Sequence, residues 1–74
     1  MNSYFNAKSE LKKIYMLGQK AIKSKDSRTI NFLISNLDKL KSDLNTHFVM
    51  DALGIYMITK QIKQMRQMLI AKLK

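Results

Sequence analysis

No proline occurs anywhere in this chain, and its only glycines are Gly18 and Gly54. β-Hairpins depend on glycine, proline or Asn-Gly type turns, and none of those signals is present. The apolar residues must therefore define the elements, and they recur throughout at steps of three and four, the period of a helix rather than the alternation of a strand. The spacing predicts an all-α fold of three helices, at about 4–24, 28–44 and 46–73.

In the first segment Tyr4, Leu11, Ile14, Tyr15, Gly18, Ala21 and Ile22 fall on one face, and Lys12, Lys13, Lys20 and Lys23 on the other. Asn2 or Ser3 is a candidate N-cap. The polar cluster Ser24 to Ser27 breaks the pattern and offers Asp26 or Ser27 as the next cap. The second segment has the cleanest stripe, with Ile30, Leu33, Ile34, Leu37, Leu40 and Leu44 in an a/d pattern over two heptads. Phe32 points away from that stripe, either incidentally or toward another chain.

A second break at Asp43 to Thr46 leads into the longest segment. Phe48, Ala52, Ile55, Thr59, Ile62, Met65, Leu69 and Leu73 make its stripe. Up to Thr59 it is apolar almost all round, with Val49, Met50, Leu53, Tyr56, Met57 and Ile58 on other faces, which implies contact on more than one side. Beyond Thr59 it becomes basic and amphipathic.

A chain of 74 residues makes one domain, 1–74, and that length is short for burying a full core. No Cys is present for a disulfide, and the lone His47 cannot build a zinc site needing about four ligands. Oligomerisation is the remaining route to extra burial. At about 1.5 Å per residue the three helices would run about 32, 26 and 40 Å. The third would then overhang its neighbours, exposing Met65, Met68, Leu69, Ile70 and Leu73. These features predict a helical hairpin or three-helix bundle that dimerises, with Phe48, Met50, Leu53, Met57 and Ile58 as the dimer interface.

The formal charge is +9, from 14 Lys and Arg against 5 Asp and Glu. Such a balance points to nucleic acid, an acidic protein surface or anionic lipid. The first 25 residues carry six Lys against Glu10, residues 26–44 balance at zero, and residues 45–74 carry five basic groups against Asp51. The ends are basic around a neutral, Leu-rich middle.

An enzyme is not expected. His47 and Asp51 stand four apart, as a hydrolytic pair could, but Asp51 is better explained as supporting the start of the third helix. No Gly-rich phosphate loop is present, and the chain is too short to enclose a pocket, so no cofactor or metal is expected either. No export signal and no apolar run of about 20 residues is evident, which reads as a cytoplasmic protein without a membrane span.

The segment 60–74, KQIKQMRQMLIAKLK, has three readings: a helix for a partner's groove, a membrane-surface helix, or the end of a bundle helix. Met65 and Met68 beside Leu69, Ile70 and Leu73 give an adaptable apolar face suited to re-packing on a partner. The lysines Lys12, Lys13, Lys20 and Lys23 could instead grip phosphates, with Tyr4, Phe5 and Tyr15 close enough in sequence to stack on bases. Tyr4 and Tyr15 fall on the apolar face, which weakens stacking. Only Arg28 and Arg66 among the basic residues are Arg, which disfavours sequence-specific base contacts.

With Arg66, Met68, Leu69, Ile70, Lys72, Leu73 and Lys74 clustered at its C-terminal end, the chain resembles the small helical internal scaffolding and capsid-size-redirecting proteins of phages and their satellites. That resemblance covers layout and about the last 15 residues, without a diagnostic motif. It implies a dimeric assembly factor in a host cytoplasm, transiently inside a procapsid. Lys63, Arg66, Lys72 and Lys74 would meet acidic residues of a capsid protein while Leu69, Ile70 and Leu73 fill a shallow groove.

Overall fold

Three helices form where the periodicity places them, and their ends show how polar residues set the boundaries. The computed structural model describes residues 2–44, 46 and 48–73, and the side chains of these apart from 2, 3, 48 and 49. Helix α1 spans Tyr4–Lys23, α2 spans Ser27–Asp43 and α3 spans Ala52–Leu73. The expected Asn2 or Ser3 cap rests on side chains outside the described residues, and so does the His47 half of the His47–Asp51 pair.

α1 closes without a glycine. Asp26 N donates to Ala21 O at 2.9 Å and Lys25 N to Ile22 O at 3.2 Å, while Lys25 takes a φ of 56°. This pair of bonds around a left-handed residue satisfies carbonyls that the last turn would leave unpaired. Asp26 then starts α2 as its N-cap: one carboxylate oxygen accepts from Thr29 N at 3.1 Å and the other from the Thr29 hydroxyl at 2.6 Å. Those two hydrogen bonds, the hydroxyl's first, hold the Asp26 carboxyl below its ordinary pKa.

α3 begins at Ala52, not near residue 46. Asp51 supplies the cap, accepting from Gly54 N at 2.8 Å, and Ile55 N closes the first backbone turn on Asp51 O at 3.0 Å. The apolar residues Phe48 and Val49, which extended the expected helix, form instead a two-residue strand β2 (Phe48–Val49). It pairs in parallel with β1 (Asn2–Ser3), in register Asn2 to Phe48 and Ser3 to Val49.

That pairing places the starts of α1 and α3 side by side. Two close approaches confirm that these helices run parallel: Tyr4 lies against Gly54, and Leu69 lies against Gly18. α2 returns antiparallel between them, with Leu33 near Gly18 at the other end of the bundle. The core takes Ala7, Leu11, Ile14 and Ala21 from α1, and Ile30, Leu33, Leu37, Leu40 and Leu44 from the α2 segment. α3 contributes Ile58, Ile62 and Leu69, with Met65, Met68 and Leu73 packed against them.

Two expectations about side chains change. Tyr15, assigned to the apolar face of α1, is exposed. In α3 the buried line runs through Gly54, Ile58 and Ile62, so Ala52 points to solvent and Ile55 and Thr59 are only half-buried. The expected overhang is also absent. A helix of 22 residues spans about 33 Å at 1.5 Å per residue, within the 36 Å length of the whole molecule, and its late turns pack along α1.

Candidate interaction surface

Burial separates the residues assigned to docking and dimerisation into core and surface. Leu69, placed at the centre of the basic C-terminal docking face, is 0% exposed and sits under Gly18. Met68 and Leu73 are packed against the core, Ile70 is half-buried, and Gln19 Nε2 reaches Met68 Sδ at 3.8 Å. Lys63 and Lys72 are exposed. Arg66 is engaged inside the chain, its Nε 2.9 Å from Asp38 Oδ1 on α2. Lys74 lies outside the described residues. The last turns of α3 are thus part of the bundle, and the apolar half of the expected docking helix is already used.

The assigned dimer face divides in the same way. Ile58 belongs to the core and Met50 is packed against it, while the Phe48 side chain lies outside the described residues. Leu53 and Met57 remain 65% and 41% exposed, and Tyr56, on the same side of the helix, is 63% exposed. Positions 53, 56 and 57 are related by three and four residues, so their side chains stand together on one face of the first half of α3. The sequence placed Leu53 and Met57 in a dimer face together with the buried Ile58 and without Tyr56, because this stretch is apolar all round and gives no sign of which side turns inward. The outward face emerges only once Gly54 and Ile58 are seen to point inward.

A second surface lies between α1 and α2. An open groove of about 750 Å³ runs along the two helices, with Glu10, Lys13, Leu17, Phe32, Lys39 and Asp43 among its lining residues. A smaller hollow of about 210 Å³, formed by Lys13, Met16, Leu17 and Lys20, shares Lys13 and Leu17 with it. Phe32 is 63% exposed, so the side chain that pointed away from the α2 stripe stands in this groove. Sequence reasoning had noticed Phe32 but not Met16 or Leu17, whose partner surface is made by another helix.

The lysines assigned to phosphate contacts, Lys12, Lys13, Lys20 and Lys23, are all exposed on α1. At the start of α1, Lys8 Nζ stands 5.8 Å from the centroid of the Tyr4 ring, and the Tyr4 and Phe5 rings meet edge to face at 6.1 Å. Among the described residues, no group of three or more His, Cys, Asp or Glu side chains could hold a metal ion. No helix among them is long and apolar enough to cross a membrane.

The chain matches no protein-family model, no curated protein and no solved structure. Its functional reading therefore rests on these surfaces.

Proposed function

We propose that this chain is a non-enzymatic helical interaction and assembly factor. Two copies associate through the exposed face on the first half of α3, and the lysine-rich outside meets an acidic protein surface. The observation carrying this reading is the exposure of Leu53, Tyr56 and Met57 together on one helix face, beside a core that is filled without them. Scattered apolar residues are ordinary on a surface, but a contiguous group on a chain this short is the usual mark of an interface. An internal scaffolding role in a phage-type particle is one example of such a factor, resting on the resemblance described above. In that role Lys63 and Lys72 would supply charge to the contact, without Leu69.

Sedimentation velocity over a concentration series tests the proposal. Wild type should shift from monomer to dimer with rising concentration, and Leu53→Ser/Met57→Ser should remain monomeric with an unchanged helical circular-dichroism spectrum. A wild-type chain that stays monomeric throughout overturns it.

A second reading, a small binder of nucleic acid through non-specific phosphate contacts, gains from one observation. Tyr15 is exposed on the helix that carries Lys12, Lys13, Lys20 and Lys23, which makes it available for stacking. On a duplex, log affinity should fall by about 0.9 per log unit of salt for each phosphate neutralised. The absence of any gel shift at low salt removes this reading.

A further inference from the structure

We propose that the groove between α1 and α2 docks an amphipathic helix of an acidic partner protein. This rests on the interaction-factor reading and gives the acidic partner a site and a shape. Leu17 and Phe32 are exposed within the groove above the buried Ile14 and Leu33, which provides an apolar seat. Lys13 and Lys20 stand four residues before and three after Leu17, and both line the hollow that Leu17 shares with Met16. The apolar seat is thus bracketed by a cation one turn to either side on the same face of α1.

The spacing of those cations selects the ligand. Seven helical residues span about 10 Å, so carboxylates about 10 Å apart on a common face are the complementary pattern. A helix provides that with acidic residues seven apart around a large apolar anchor. In an extended strand about 10 Å corresponds to three residues, whose side chains point to opposite faces. The far end of the groove holds Glu10 and Asp43, with Lys39 between that end and the seat, so the matching acidic stretch is confined to the Lys13–Lys20 half.

A second copy of the chain does not fit. A two-fold axis through Leu17 would set Lys13 of one copy against Lys20 of the other, so a symmetric second copy brings like charges together at the seat. Self-association is therefore left to the α3 face, and the groove to a different protein.

Fluorescence anisotropy with an alanine-based helical peptide, bearing a Leu/Phe face flanked by Glu residues seven apart, tests this. Lys13→Glu/Lys20→Glu should weaken binding at least about tenfold, and exchanging the peptide's Glu for Lys should recover it. Phe32→Ser should also weaken binding with the helical spectrum intact, while Lys41→Glu/Lys60→Glu, at exposed lysines away from the groove, should leave it unchanged. Equal losses from both pairs of charge reversals would indicate general attraction, overturning the groove but not the acidic-partner reading. No binding to wild type at about 1 mM peptide overturns the groove proposal, with self-association judged by its own experiment. If oligothymidylate binds through Lys13 and Lys20 more tightly than the peptide does, the site belongs to nucleic acid and the proposal fails.

Discussion

A methyl group added at Gly18 of α1 would lie 3.2 Å from Leu69 Cδ2 of α3. The absence of a side chain at position 18 lets Leu69 reach the core, and it thereby fixes the last turns of α3 to the bundle. Gly18→Ala brings two opposed effects: a gain of about 1 kcal/mol in helix propensity, and an overpacking cost of about 1–3 kcal/mol against a buried neighbour. Because Leu69 is fully enclosed, the second should win, lowering unfolding free energy by up to about 2 kcal/mol in urea titration. A more stable variant would mean that Leu69 moves aside freely.

Truncating Leu69 itself should be far more damaging than altering its neighbour in sequence. Leu69→Ala should cost about 2–5 kcal/mol, a large part of the stability of a small domain. Ile70→Ser, at a half-buried position, should cost clearly less in the same denaturation experiment. The sequence alone assigned both residues to a docking face, and a docking side chain can be lost without unfolding the chain, so the contrast between them separates the two accounts.

How much was legible in advance depended on whether one helix sufficed to show it. The α2 stripe of Ile30, Leu33, Ile34, Leu37, Leu40 and Leu44 was readable because it repeats regularly against polar neighbours, and five of the six are buried, with Ile34 half-buried against them. The start of α3 was not, because Phe48 and Val49 prolong the apolar run while pairing with the N-terminal strand. The relevant signal was Asp51 followed three residues later by Gly54, a cap inside what looked like a continuous helix. The groove was illegible for a different reason: Leu17 and Phe32 belong to different helices, and only their packing brings them to one surface.

The left-handed Lys25 offers a stabilising change. A non-glycine residue in this region costs about 1–2 kcal/mol relative to ordinary helical backbone, and glycine is the usual occupant at this place in a helix end. Lys25→Gly should raise unfolding free energy by about 0.5–1 kcal/mol, after allowing for the greater freedom glycine gives the unfolded chain. Thermal and urea unfolding should move together. Loss of stability would contradict the assigned helix end.

Acid should weaken the start of α2 through Asp26. Its pKa is lowered in the folded chain, so the carboxylate stabilises the fold above its unfolded value, about 3.9. That contribution fades as pH falls from there through the lower folded value. Asp26→Asn retains a side-chain oxygen to accept from Thr29 but does not titrate. The difference in thermal midpoint between wild type and Asp26→Asn should therefore shrink on acidification below about pH 4. A difference independent of pH would contradict the role given to the ionised cap.

The outward face of α3 is tested most directly by its methionine. With methionine methyl groups labelled for NMR and a soluble nitroxide added, the exposed Met16 and Met57 signals should both broaden in dilute solution, and the partly buried Met65 and Met68 much less. On raising the protein concentration, Met57 should become protected while Met16 stays accessible. Protection that appears at Met65 and Met68 instead, or a Met57 equally accessible at every concentration, would contradict association through this face.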